Sequence, residues 1–593
     1  MFSTPPSSRA ATSAQSSSSV LMSRPVTVSI GVAVTALVLV ATALWTPGLA
    51  HAAAAETPVT ADDVFETGSQ RVAISDDGST IAYAWLMFDG SVMRVRTRYS
   101  TDGGRNWTNK NLSGKSAEAE DPTLAVSDDG QTMMLGWRQV KRTGDGNNKT
   151  IRLATTVNGG RSWDTEQVSA AGMRPTDPAV AVAGTGQHLA ITWVERERDL
   201  PDAPSVAQLR VSSDGGSTWQ TEALSADDDY AVSPGVLFSR DAQTIVYYWA
   251  LLTEDGNEYW LARYSTDGGT TWTTDQITPT DQLVYSLAAV VSGSGRTIAF
   301  VWAESGADGA TSVKTRYTSD SATTWISEAA SPAGRNADGP QLAVDDSGDV
   351  IAMVWSYFGK RGLDSRYTRD GGATWTDFDP GGTGEEGQSP HVAVSGDGQT
   401  FSYAWASWQD GKAAYESRYS TDGGASWSPE KQMSKPVNSV GDSATAVSGT
   451  GNRIAYVWTW DAGSANSTVQ ARYSRNQGSK WTKVNLSGSS AVKKLKVKGS
   501  SITRSSATVT WKKPATIDSN GVKKYQVRYK VGKNGEWKKW KSATPKKLKV
   551  KKGKYAKKLT KLKADRNYVV QVRSKNSVGP GGVAVPVVAA TAK

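Results

Sequence analysis

The chain has 593 residues with no cysteine, three histidines, 57 glycines and 23 tryptophans. That composition excludes a disulfide framework, a thiolate metal site, a cysteine nucleophile and a multi-histidine metal site, because one histidine, His51, lies in the N-terminal segment. The net charge of +10 hides a division: residues 491–593 carry 25 lysines and 4 arginines against Asp518, Glu536 and Asp565, a net of +26, which leaves −16 on the rest. An acidic body with a basic tail points to a tail that meets a polyanionic surface.

The N-terminal stretch, 1–52, reads as an export signal. An apolar run from Val26 to Trp45 follows Arg24 and precedes Pro47 and Ala50-His51-Ala52, which places cleavage after Ala52. The run is also long enough to span a bilayer, so retention as a single anchor is the alternative. The Ser-rich stretch before it is unusual for a signal, and Met22 would make a more ordinary start.

Residues 56–488 hold eight copies of a unit of about 50 residues, the length of one four-stranded propeller blade. The first hairpin of each copy is an alternating strand, a polar turn and a strand ending in tryptophan, as in Val72 to Trp85. Its later copies end at Trp137, Trp193, Trp249, Trp302, Trp355, Trp405 and Trp458. The second hairpin carries Ser/Thr-x-Asp-Gly-Gly-x-x-Trp, intact from Ser100 to Trp107 and again at Trp219, Trp272, Trp375 and Trp427. It is eroded at Asn158, at Asn476, and at Ser321-Ala322, which replace the glycines before Trp325. In this pattern the aspartates Asp102, Asp214, Asp267, Asp320, Asp370 and Asp422 accept backbone hydrogen bonds in a tight turn, glycine supplies positive φ, and tryptophan buries a large ring.

The second motif resembles the Asp box of the sialidase, or BNR, repeat, and the resemblance covers residues 71 to about 485. It implies an all-β fold, an eight-bladed β-propeller, with a seven-bladed ring and one displaced copy as the runner-up. Sialidases of this family have six blades. With strands A to D in chain order, the polar turn (A–B) and the Asp box (C–D) share one face, and loops B–C and D–A share the other. Closure into a ring protects the sheet edges and substitutes for disulfides.

From residue 491 to 593 the repeat gives way to a lysine-rich segment. Its Ala507-Thr-Val-Thr-Trp511, Tyr525-Gln-Val-Arg-Tyr529, and Leu562 before Tyr568 resemble a fibronectin type III domain, a seven-stranded sandwich that the resemblance implies to be non-catalytic. Lys546, Lys547, Lys549, Lys551, Lys552 and Lys554 alternate with Leu548, Val550 and Tyr555, giving one charged strand face. Solvation and edge protection compete there with retention on an anionic envelope polymer or membrane surface. Export argues against nucleic acid.

Chemistry is expected on the B–C and D–A face. Residues present in most copies are structural, and those present once are candidates. The repeated Arg-Tyr pairs, such as Arg98-Tyr99 and Arg316-Tyr317, therefore read as packing residues, as His188 and His391 do. Sialidase chemistry would need three arginines, a Tyr/Glu pair and an acid/base aspartate, but the early Arg-Ile-Pro motif is absent and Arg174-Pro175 lacks its context. Non-repeated arginines do exist, Arg138, Arg142, Arg196, Arg198 and Arg335, with Glu195 and Glu197 close by; of these Arg196 and Arg198 are the substrate-binding candidates, with a charged, solvated loop as the bland alternative.

The D–A loops deliver a small polar or acidic residue before proline at Asp121, Asp177, Ser233, Gly339 and Ser389, with Asp442 and Ser443 similarly placed. Asp121, Asp177 and Asp442 are the catalytic candidates, against a turn-setting role for the repeated proline. The aromatics Phe88, Tyr357, Phe358, Trp408 and Trp460 would stack on sugar rings or pack on neighbouring blades, with Asp410 and Asp461 beside the two tryptophans. The expectation is a secreted or envelope-associated monomer that binds cell-surface or polysaccharide glycans, as a glycoside hydrolase or as a non-catalytic adhesion protein held by its basic module. It needs no cofactor and no metal.

Overall fold

The computed structural model describes residues 70–593. Excepted are 89–91, 114–117, 144–145, 198–202, 254–255, 307–308, 333, 358–361, 382–385, 410, 438 and 462–466 in the repeats, and 485–492, 498–502, 513–521, 523, 533–535, 544–548, 552–553, 576–579, 584–586 and 591–593 beyond them. The export segment, 1–52, therefore lies outside the described residues. Every regular element among the described residues is a β-strand.

Eight four-stranded antiparallel sheets follow one another from Arg71 to Val484, each built from four consecutive strands. In sheet 1 the strands are Arg71–Ile74 (A), Ile81–Phe88 (B), Met93–Ser100 (C) and Thr108–Asn111 (D). The sequence dictates this order. Strand B is apolar on both faces and sits inside each sheet, carrying a tryptophan of 0–5% exposure between neighbouring sheets and running on past it. Strand D is short and polar and forms the outer edge, fully exposed in Gln220–Ala223 of sheet 3.

The Asp box fixes the C–D turn as its residue types require. The Asp102 carboxylate accepts from the Arg105 and Asn106 backbone N–H groups at 2.9 and 2.8 Å and from the Asn106 side chain at 2.6 Å. The Ser100 hydroxyl takes the Gly104 N–H at 2.8 Å, and Gly103 and Gly104 both have positive φ. The boxed tryptophans bind one sheet to the next. In the pairs that begin with Arg98, Arg263, Arg316 and Arg366 the arginine lies over its own box tryptophan (Arg98 on Trp107, 5.1 Å; Arg263 on Trp272, 4.8 Å), and the tyrosine packs on the following sheet's box tryptophan; Arg418 instead lies over Phe378. Tyr99 meets Trp163 at 5.9 Å and donates to the Gly160 carbonyl at 2.6 Å. These pairs are structural, as their repetition implied.

The Asp-box carboxyls are strong acids in the fold. Hydrogen bonds from the Thr218 hydroxyl and backbone N–H, and from Ser212, hold Asp214 down to about 2, and Asp267, Asp320, Asp370 and Asp422 behave likewise. At Asp102 partial burial works the other way, and the hydrogen bonds outweigh it. A carboxyl whose folded pKa is depressed stabilises the fold above its unfolded pKa and loses that contribution as pH falls towards the folded one. The six boxes together should therefore make stability decline between about pH 4 and pH 2. Asn158 already makes the same contacts, accepting from Ser162 N–H at 3.0 Å. Asp→Asn at all six boxes is accordingly expected to fold at pH 7 and to flatten the loss of melting temperature between pH 4 and 2. An unchanged acid slope would reject the boxes as its source.

On the same face the eight A–B turns are joined around the axis by backbone hydrogen bonds. Asp76 N–H donates to Asp128 O, Asp128 to Gly184, Thr185 to Arg240, Arg240 to Gly293, Ser294 to Asp346, Asp346 to Gly396 and Asp397 to Gly449, all at 2.8–3.2 Å. Gly449 N–H then donates to Asp76 O at 3.0 Å, joining the last sheet to the first. The Arg240 side chain lies inside this ring, 2.5 Å from Asp128, 2.8 Å from Asp346 and 3.3 Å from Asp76. Glycine leaves room beside it: a Cβ on Gly184 would come within 2.3 Å of the Asp128 carboxylate, and one on Gly449 would displace the Asp76 carboxylate.

The C-terminal module is a sandwich of two sheets. One runs Lys493–Val497, Ser506–Lys512, Lys554–Thr560, Lys549–Lys551; the other runs Lys541–Ala543, Lys524–Val531, Asn567–Lys575, Pro580–Val583, with Val587–Ala590 also on Asn567–Lys575. Trp511, Tyr525, Leu562, Tyr568, Val570 and Val572 form its core, and Tyr568 accepts the Lys563 backbone N–H at 2.7 Å. Lys546, Lys547 and Lys552 lie outside the described residues, as do the side chains of Lys549 and Lys551; Lys554 is exposed.

Candidate functional site

The pre-proline residues are not in the D–A loops. Asp121 lies within strand A of sheet 2 (Glu118–Val126), and Asp177 within strand A of sheet 3 (Thr176–Val182). Ser233, Gly339 and Ser389 likewise lie inside their strands A. Each has φ between 48° and 60°, and the strand register slips at each position, so the X-Pro step makes a β-bulge. Proline lacks the N–H that a regular ladder would use, and the bulge absorbs the missing bond. A bulge also re-aims the side chain before it.

In sheets 2 and 3 that side chain is a carboxylate, and both are drawn into one cluster. Arg138, from strand B of sheet 2 (Met133–Thr143), lies 2.7 Å from Glu120 and 2.9 Å from Asp121. Burial lowers its basicity, but the charges of Asp121, Glu120 and Asp177 more than restore it, so it remains a fixed cation. Lys149, at the start of the same sheet's strand C, is pushed down by burial and by Arg138. Asp177 accepts from the Thr176 hydroxyl at 3.0 Å and from the Ser233 backbone. Its pKa is raised, first by burial and then by the charge of Asp121, against the pull of Arg138.

A fourth carboxyl joins from sheet 4. Glu258 opens strand C (Glu258–Ser265), and burial, followed by repulsion from Asp177, pushes it up to about 7. It was not among the candidates, yet the repetition filter could have found it. At the same place, seven residues before the Ser/Thr of the second hairpin, the other copies carry Met93, Lys149, Ser205, Thr311, Arg361, Ala413 and Ser467. Glu258 is the one acid in that column, and Lys149 is its companion in the cluster.

The remaining candidates separate from this group. Tyr357 is buried rather than presented: its hydroxyl bonds to Asp364, it accepts Trp355 Nε1–H at 3.0 Å, and Arg335 covers its ring at 5.0 Å. Burial and Asp364 push its phenol up to about 12, the reverse of an activated nucleophile. Trp408 is half-buried at the end of strand B of sheet 7 (Phe401–Gln409). Arg196 closes strand B of sheet 3 (Leu189–Arg196), where its carbonyl accepts the Arg174 N–H at 2.7 Å. Arg198, Phe358 and Asp410 lie outside the described residues, and so do the side chains of Phe88, Arg142, Asp442, Trp460 and Asp461. His391 is buried, with burial and Arg71 taking its pKa down to about 4, so it is neutral at physiological pH. Among the described residues no cluster of His, Asp and Glu has the arrangement of a metal site.

Comparison with known proteins is sparse at the level of sequence. Residues 490–589 match the model of the fibronectin type III domain, and residues 418–429 match that of the BNR/Asp-box repeat. No curated protein matches the chain. Among solved structures it is similar to the Hadza microbial sialidase Hz136 at 13% identity, covering 70% of this chain and 94% of that one with a TM-score of 0.32. The leech intramolecular trans-sialidase follows at 12% identity, 71% and 70% coverage and a TM-score of 0.32. The β-propeller domain of the Trilobed protease from Pyrococcus furiosus stands at 11%, 64% and 98%, and 0.36. The repeated sheets, the hydrogen-bonded boxes and the two matched models agree on the fold: a β-propeller with Asp-box turns, followed by a fibronectin type III domain.

Proposed function

We propose that this is an exported, monomeric glycan-binding propeller whose ligand site is the cluster of Glu120, Asp121, Arg138, Lys149, Asp177 and Glu258, and whose basic module holds it at an anionic cell envelope. One observation carries the reading. Repeated positions build the wheel, and its charged departures from repetition gather from three successive sheets at the B–C and D–A ends. Fixed carboxylates and cations at such a place are suited to the hydroxyls of a sugar.

The sign of the charge narrows the ligand. Four carboxyls surround two cations, and Arg138 is already ion-paired, so a sugar carboxylate would meet repulsion rather than an arginine clamp. The ligand class that follows is a neutral or amino-sugar polysaccharide. Binding of the full chain to neutral, amino-sugar and sialylated glycans should favour the first two, and Asp177→Asn should weaken it about tenfold. Preference for sialylated chains, or full affinity in Asp177→Asn, would overturn the assignment.

Hydrolysis is a second reading, favoured by Glu258. A carboxyl poised near 7 is half-protonated at physiological pH and suited to give its proton to a leaving glycosidic oxygen, while a neighbouring ionised carboxylate serves the other face of the sugar.

A further inference from the structure

On the fibronectin type III module a different group of side chains is arranged in a row. Strand Lys524–Val531 turns Tyr525 and Val527 into the core and leaves Gln526, Arg528 and Lys530 on the outward face, while Asn567–Lys575 places Gln571 and Arg573 beside them. The segment before Lys541 returns over this face and lays two indoles between the cations. Arg528 lies 4.6 Å from the Trp537 ring and 4.3 Å from that of Trp540; Arg573 lies 4.2 Å from Trp540, and Lys530 lies 5.2 Å from Trp537. The order is Lys530, Trp537, Arg528, Trp540, Arg573. Crossed bonds fix the two guanidiniums, Arg528 Nε–H to Gln571 at 2.9 Å and Arg573 Nε–H to Gln526 at 3.0 Å.

We propose that this outward face is the docking surface for a linear phosphodiester polymer of the cell envelope, a sugar-phosphate or polyol-phosphate chain. The inference rests on the reading of the basic module as the envelope anchor and is independent of the propeller's glycan site. Three observations favour that occupant. The module's net charge of +26 is complementary to a polyanion. Guanidinium forks match the tetrahedral oxygens of phosphate. The stack fixes the rotamers of three cations in line, so pairing them with successive charges costs little additional side-chain entropy.

The test uses the full chain and synthetic poly(glycerol phosphate). The triple variant Arg528→Gln, Lys530→Gln, Arg573→Gln should bind at least about tenfold more weakly, with a shallower salt dependence. Removing equal charge from the other sheet, by Lys512→Gln, Lys554→Gln and Lys558→Gln, should cost markedly less. Lys530→Gln alone, at the end of the row, gives the same direction if the triple variant fails to fold. Equal losses from the two faces would overturn the docking face while leaving envelope retention intact. No binding by the unaltered chain would overturn both. Tighter binding to heparin, to DNA or to anionic phospholipid vesicles would overturn the phosphodiester polymer as occupant.

Discussion

Arg240→Met is expected to destabilise the propeller at pH 7 by about 2–3 kcal/mol, although it touches none of the large apolar clusters. Arg240 is the cation among Asp76, Asp128 and Asp346 inside the ring of turns, and removing it leaves three carboxylates facing one another. The estimate lies below that for a fully buried pair because the Arg240 side chain is 38% exposed. The loss should shrink as salt is added, since screening weakens the repulsion among the three carboxylates. Adding Asp128→Asn should recover part of it. Denaturant unfolding at low and at high sodium chloride separates this cause from simple loss of packing, which screening does not relieve.

Glu258→Gln is expected to act in opposite directions on activity and stability. If glycan cleavage uses Glu258 as its acid, the substitution should lower turnover by roughly 10²–10⁴-fold, and the unaltered protein should lose activity as pH rises through about 7. A carboxyl whose folded pKa is raised favours the fold at low pH and opposes it above the folded pKa. The variant should therefore be more stable than the parent at pH 8, by at most roughly 3 kcal/mol, and about equal to it at pH 4. Melting curves at the two pH values test the strained carboxyl by itself. Equal stability at pH 8 would dismiss it, whatever the outcome with glycans.

How far the sequence carried this reading differs by residue. The strand-B tryptophans and the Ser/Thr-x-Asp-Gly-Gly-x-x-Trp boxes disclosed the propeller because each is a local solution repeated eight times or nearly so, and repetition averages out accident. Asp121 and Asp177 are legible as candidates, but their setting is not. An X-Pro step reads as a turn, whereas here the extended neighbours on both sides keep the strand going and turn the proline into a bulge. Glu258 does not stand out among the loop residues, since it sits at the first residue of a strand. Its partner Asp177 is some eighty residues earlier, on the preceding sheet, and only the packing of sheet on sheet brings the two together. Arg240 was hidden for the same reason: its turn looks like a degenerate copy of Ser-Asp-Asp-Gly, and its role exists only when eight turns face one axis.

The bond from Gly449 to Asp76 has one further consequence. Among the described residues every sheet is a contiguous stretch of chain, so no strand is exchanged between the beginning and the end of the wheel, and this junction has no covalent connection. The chain could thus be cut at any other D–A loop and rejoined here by a short linker without altering a hydrogen bond of the ring. In the natural order, this is the seam from which pulling on the two ends would unzip it.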